Sequence, residues 1–151
     1  MEHSEKMELV AAALCAAQAD MPQILKAGTN PHFKSKYVPL PDLVEAVRPV
    51  LVKHGLAIVQ TYEPCPGSLH ICTTLIHKSG QWLSGTLNVP LDKQTPQAVG
   101  SASTYGRRYS AESILFVCGM DDDDAESATE RNGTRPHAAA QPVGNKVEDL
   151  I

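Results

Sequence analysis

Two short stretches of this chain combine positive charge with aromatic rings. Lys34, Lys36 and Tyr37 follow Asn30-Pro31-His32-Phe33, and Tyr105, Arg107, Arg108 and Tyr109 lie close together further on. Cations can follow a phosphate backbone while rings stack on unpaired bases, so this mixture suits single-stranded nucleic acid. An ordinary basic surface loop is the competing account of the first stretch. In the second, Tyr105 and Arg108 share a helix face at i, i+3. Arg108 can pair with Glu112 at i, i+4, with the base placed first, the weaker orientation, worth about a few tenths of a kcal/mol. Arg107 meets only Ala111 and Ser103 at those offsets and is therefore the better phosphate ligand. We expect Lys34, Lys36, Arg107 and Arg108 to contact phosphates and Tyr37 and Tyr105 to stack. Arg48 and Lys53 are further candidates, for which a solvated helix face is an equal explanation.

Other chemistry finds little support. Asp121 to Asp124 are adjacent carboxylates without the spacing of a calcium loop, so they read as a solvated acidic run. A metal-dependent nuclease built on them is the enzymatic alternative. His70 and His77 fall on opposite faces of one strand and cannot easily share a metal. Cys15, Cys65, Cys72 and Cys118 show neither zinc nor redox spacing and are expected to stay reduced, as small core residues. The chain contains no Gly-x-x-x-x-Gly-Lys-Ser/Thr loop, no Gly-x-Ser-x-Gly elbow and no His-Glu-x-x-His helix. We expect no cofactor, no metal and no catalysis.

These residues need elements to hold them. At 151 residues the chain is about one ordinary domain. Its longest uncharged apolar run, Leu9 to Ala17, is far short of the ~20 residues of a bilayer span, and its start lacks the features of a secretory signal. We expect a cytoplasmic protein with no membrane anchor. The net charge of −4 conceals an asymmetry: residues 1–120 carry +1 and residues 121–151 carry −5, while Lys26 to Arg108 alone carries +5. The body can therefore meet an anionic partner.

The spacing predicts a first helix from a Ser4 cap to about Ala19, with a seam of Met7, Val10, Ala11, Leu14, Cys15 and Gln18, ended by Asp20-Met21-Pro22. Lys26 to Pro39 reads as a loop or short hairpin. Leu40, Leu43, Val44, Val47, Val50, Leu51 and His54 mark a second helix, kinked by Pro49 and stopped by Gly55. Leu56 to Tyr62, Ser68 to His77 and Gln81 to Val89 read as a three-stranded antiparallel meander. Thr95-Pro96 starts a last helix running to about Phe116, with a small-residue seam of Val99, Ala102, Gly106, Tyr109, Ser113 and Phe116. That seam implies close approach to the sheet or to a neighbouring subunit. The fold class is α+β, with helices packing the meander and a disordered acidic tail over 121–151.

Asn30 to Tyr37, Leu43 to Gly55 and the stretch Thr95-Pro96-Gln97-Ala98-Val99-Gly100-Ser101-Ala102-Ser103-Thr104-Tyr105-Gly106-Arg107-Arg108-Tyr109 occur in order. Together they closely resemble the ERF, or essential recombination function, family of phage single-strand annealing proteins. The resemblance covers roughly Met7 to Asp124 and leaves the tail outside. It implies a β-β-β-α core and sequence-independent binding of single-stranded DNA. It also implies annealing of complementary strands without ATP, on ring-like or filamentous homo-oligomers. A generic single-stranded nucleic-acid chaperone is the alternative. The division expected is residues 1–120 for binding, annealing and oligomerisation, and 121–151 for a tail. That tail would compete with DNA, hold a protein partner, or act as a passive solubiliser.

Overall fold

The computed structural model describes residues 1–29 and 35–120. Lys34, with Asn30 to Phe33, and the whole tail expected over 121–151 therefore lie outside the described residues. The elements in chain order are β1 (Glu2–His3), α1 (Glu8–Asp20), β2 (Ile24–Leu25), β3 (Gly28–Thr29), β4 (Lys36–Tyr37), α2 (Leu40–Lys53), β5 (Leu56–Cys65), β6 (Ser68–His77), β7 (Trp82–Pro90), α3 (Pro96–Leu115) and β8 (Gly119–Met120).

Strands β5, β6 and β7 pair antiparallel in sequence order, from Leu56↔His77 to Cys65↔Ser68 and from Ser68↔Pro90 to Ile76↔Trp82. Gly67 and Gly80, with φ of 73° and 87°, supply the left-handed backbone the two connections need. β5 runs past Tyr62 to Cys65; Pro64 has no N–H to give, which an edge strand tolerates. The main sheet has four strands in the order β1-β7-β6-β5, one more than the sequence predicts. The addition is β1, whose two residues pair with Leu83 and Ser84 of β7 and are too few to show a period.

Central strand β6 alternates strictly, burying Leu69, Ile71, Thr73, Leu75 and His77 on one face. The helices cover that face. Val10 and Ala17 of α1, Leu43, Val47 and Leu51 of α2, and Ala111 and Leu115 of α3 form one core with Leu56, Leu75 and Leu83 of the sheet. A smaller cluster of Leu69, Ile71 and Val89 takes Ala102 of α3.

Two predicted details of the helices are corrected. Ser4 does not cap α1, which begins at Glu8 after Met7. It is held instead on β7, where its Oγ accepts from the Trp82 N–H at 3.0 Å. The free N–H groups of Leu9 and Val10 at the start of α1 donate to Gln81 Oε1, at 2.8 and 3.1 Å, a cap brought from 72 positions away. The α3 seam also differs. Gly106, Ser110, Ala111 and Leu115 are buried, whereas Tyr109 stays 43% exposed and Phe116 87%. The helix is rotated because Gly106 sits directly on the sheet: a Cβ there would overlap Ile71 Cδ1 and come within 2.9 Å of Val89 Cγ2. The small-residue contact is thus with the sheet.

The cysteines are all free, but Cys15, Cys65 and Cys118 are exposed rather than core residues. Cys15 lies on the side of α1 away from the Val10–Ala17 seam, Cys65 ends the edge strand, and Cys118 comes after α3. Only Cys72 is partly buried, 3.2 Å from Ser84 Oγ.

The stretch read as a loop or short hairpin is a hairpin, with Gly28↔Tyr37 and Thr29↔Lys36 paired. Beyond α3, β8 returns to pair in parallel with β2 (Ile24↔Gly119, Leu25↔Met120), closing the described chain against the segment after α1.

Candidate nucleic-acid interface

The hairpin and α3 bring the two basic-aromatic stretches together. Across the β3–β4 pair, the Tyr37 ring rests on Gly28, where a Cβ would approach Tyr37 Cζ to 2.7 Å. The Arg108 guanidinium lies 4.5 Å from the centroid of that ring, 4.8 Å from that of Tyr109 and 5.9 Å from that of Tyr105. Its Nη1 also donates to the Val38 carbonyl at 3.5 Å. One cation thus serves three aromatic faces, each contact worth about 0.5–1 kcal/mol where partly exposed. Arg108 turns to these rings instead of forming an ion pair with Glu112. Burial raises the Glu112 carboxyl above its ordinary range, and the nearby Arg108 charge partly offsets this.

Tyr105 and Tyr109, one helical turn apart, meet at 4.4 Å between centroids with planes tilted by 49°. Tyr105 is 51% exposed, so the pair leaves aromatic surface open to solvent. Desolvation, then the neighbouring Tyr109, push the Tyr105 phenol above its ordinary pKa, against the pull of Arg108. It is therefore neutral at physiological pH and adds no repulsion toward an anion. Lys36 is exposed on β4 beside Tyr37.

Arg107 points to a different neighbour. Its Nε donates to Gln60 Oε1 at 3.1 Å, while Gln60 Nε2 donates to the Arg107 carbonyl at 2.9 Å and to Thr73 Oγ1 at 3.1 Å. Gln60, on edge strand β5, thereby clamps both the backbone and the side chain of Arg107. The terminal Nη groups of Arg107 have no partner among the described residues. An open groove of about 560 Å³ between α2 and α3 is lined by Leu40, Val44, Glu45, Arg48 and Arg107, so Arg48 joins Arg107 at one concavity.

Lys53 is engaged elsewhere. Its Nζ donates to Asp20 Oδ2 at 2.8 Å, beside His54 Nε2 at 2.6 Å from the same oxygen, tying the end of α1 to the end of α2. Tyr37 is similarly occupied, between Gly28 and Arg108. Of the residues expected from sequence, the structure gathers Tyr37, Tyr105 and Arg108 at one cluster and Arg48 with Arg107 at the groove, while Lys36 is placed on β4 next to Tyr37 in the chain. Two contributors were not among the expected contacts: Tyr109, named in the second stretch but placed on the inward seam of α3, and Gln60. Tyr109 was legible from its i, i+4 spacing to Tyr105; Gln60 carried no local signal, because its contact with Arg107 spans 47 positions. Among the described residues, no three His, Cys, Asp or Glu side chains gather as a metal-ligand set. No helix among them is long and apolar enough to cross a membrane.

A family model described as the ERF superfamily matches residues 10–149. The matched span continues well past Asp124, so the expectation that the tail lies outside the resemblance is corrected. No curated protein and no solved structure matches the chain.

Proposed function

As the chain belongs to the ERF superfamily, we propose that it binds single-stranded DNA without sequence preference and anneals complementary strands without ATP, as a homo-oligomer, in homologous recombination of the phage type. The observation that carries this reading is the Arg108 cluster, where cationic and aromatic groups from two distant segments share one surface with solvent-facing rings on Tyr105 and Tyr109.

The chemistry is non-covalent. Arg107 and Arg48 at the groove, with Arg108 at the cluster and Lys36 on β4, offset the repulsion between phosphates that opposes bringing two strands together. Tyr105 and Tyr109 offer stacking surface to any base, which explains indifference to sequence. Base edges remain free to pair. Lys34, outside the described residues, is kept as a proposed phosphate contact on its sequence alone. Lys53 and the covered ring of Tyr37 are left to structural roles. The succession β5-β6-β7-α3, with α3 lying on the sheet, is compatible with the β-β-β-α core implied by the resemblance. The open edge of β5 offers a place where copies could join.

The test mixes the protein with complementary labelled oligonucleotides in the absence of nucleotide. Duplex formation should be accelerated, with affinity for the single strand falling by about 0.7 log units per phosphate contact for each log unit of salt. No acceleration over a protein-free control overturns the reading. Side-by-side titration with RNA decides between a DNA annealer and a general single-strand chaperone. Reproducible cleavage with magnesium or manganese, lost on removing the Asp121–Asp124 carboxylates, would make the protein a nuclease instead.

A further inference from the structure

A glycine in the middle of β7 leaves a hole in the molecule. Gly85 is paired with Thr73 in an unbroken register that runs from Ser68↔Pro90 to Ile76↔Trp82, so no bulge accounts for it. Thr73 is buried on the face that the helices cover, and residues directly opposite one another point to the same side of a sheet. A side chain at Gly85 would therefore point toward the helices, yet nothing lies within 4 Å of where its Cβ would be. The space belongs to a cleft of about 730 Å³ between β7, α1 and α3, within the ~300–1,000 Å³ range of sites that enclose a ligand. Leu14, Leu87 and Ile114 line its sides, and Tyr109 and Ser113 stand on its α3 side. Among the described residues, no charged side chain lines it.

The end of α3 carries the opposite feature. Phe116 is 87% exposed and is held at φ 57° and ψ 45°, the one non-glycine residue with a positive φ among the described residues. Glycine is the ordinary occupant of this left-handed position after a helix, so a bulky ring there is both strained and without apolar cover. Backbone on either side holds it in place. The Phe116 N–H donates to the Ser113 carbonyl at 3.3 Å, the Val117 N–H donates to the Glu112 carbonyl at 3.0 Å, and Leu115 is fully buried. Within one copy the ring stays outside the cleft, of whose lining it forms no part. We infer that Phe116 of one copy inserts into the Gly85 cleft of a second copy. The inference rests on the homo-oligomeric state proposed above and names its contact. Ser113 to Met120 contains no charge, and neither does the cleft, so burying the ring removes apolar surface from water without stripping any ion of its solvent. A nucleic-acid strand is the poorer occupant, because its phosphates would meet no cation there. Ser113, which lines the cleft, precedes Phe116 by about one helical turn, so ring and cleft share one side of the molecule. Two copies can then exchange the contact about a two-fold axis, each giving a ring and receiving one.

The experiment uses sedimentation velocity on the full chain, comparing the natural protein with Phe116→Gly, Gly85→Val and an equimolar mixture of the two variants. Phe116→Gly removes the ring and suits the left-handed backbone. Gly85→Val fills the cleft from open space on a strand, where β-branched residues are favoured, so far-ultraviolet spectra of both variants should match the natural one. The natural chain should associate, and each variant alone should show a dissociation constant raised about 30-fold or more, the scale of losing a buried aromatic anchor. The mixture should associate more tightly than either variant alone, as one-to-one species, because one partner keeps the cleft and the other keeps the ring. Variants that associate as the natural chain does overturn the contact while leaving the homo-oligomer in place; a monomeric natural chain overturns both. A mixture no tighter than its components also overturns the contact, since the two substitutions would then act independently. Should Gly85→Val not fold, Phe116→Gly decides alone. Loss of oligo-dT binding in variants of unchanged size would assign the cleft to DNA and overturn the contact.

Discussion

Arg107 and Arg108 are neighbours in the chain, yet 100° of helical rotation gives them different roles. Arg108 spends its guanidinium on three rings, so removing it would loosen the hairpin from α3 as well as subtract a charge. Arg107 is clamped at Nε and keeps its outer amino groups available at the groove shared with Arg48. Arg107→Ala should therefore lower affinity for single-stranded DNA and reduce the salt slope by about 0.7–1 unit, with the far-ultraviolet spectrum unchanged. An unchanged slope in a salt titration removes Arg107 from the interface. Gln60→Ala leaves the charge present but unclamped; it should weaken binding with the slope retained, because the count of phosphate contacts is the same while their geometry is loosened.

At the scale of elements, α3 is held to the sheet by what Gly106 lacks. Alanine is intrinsically the better helix former by about 1 kcal/mol. Even so, Gly106→Ala should destabilise the protein, by about 1–3 kcal/mol, since the new methyl must displace Ile71 and Val89 in a packed core. Chemical denaturation measures it, and a variant as stable as the natural chain contradicts the close contact. The junction of α1 and α2 makes a second case. Asp20 ends α1, where its charge opposes the helix dipole. Hydrogen bonds from Lys53 and then His54 outweigh this and hold its carboxyl below its ordinary value of 3.8. A depressed carboxylate pKa stabilises the fold above the unfolded value, and that contribution is lost as pH falls through the lowered one. Melting temperature followed from about pH 5 down to about pH 2, taking Asp20→Asn as reference, should show the natural chain losing its advantage across the acid limb. Parallel curves would show that the contact contributes nothing.

For the whole molecule, among the described residues, the sheet leaves β5 unpaired along one side while β7 is covered by β1 only at Leu83 and Ser84. Unpaired edges of this length invite association with another chain. Thr61→Pro, in mid-strand β5, should shift the protein toward smaller species in sedimentation velocity if copies join at this edge. A parallel circular dichroism spectrum checks that the fold survives; an unaltered size distribution from a folded variant places any interface elsewhere.

Local spacing carries everything that the sequence determined by itself. Alternation in β6 and the Leu43–Val47–Leu51 stripe of α2 specify an element and its inward face, because side chains repeat every two residues in a strand and every 3.6 in a helix. Thr95-Pro96 specifies the start of α3, and the Thr95 hydroxyl accepts from the Ala98 N–H at 3.2 Å as such a cap should. The basic-aromatic stretches were legible as residue types, though not as a surface. Tertiary structure alone decided that Tyr37 meets Arg108, that Gln60 holds Arg107, that Gln81 caps α1 and that β8 returns beside β2. It also decided the seam of α3, since several small residues could face inward and the depth of approach at Gly106 selected among them. Two-residue strands have no period, and a hydrogen bond spanning 47 positions leaves no trace in either segment's spacing. Such contacts are favourable only once the core has brought both partners out of water, so their pairing belongs to the packed molecule and to neither stretch of chain.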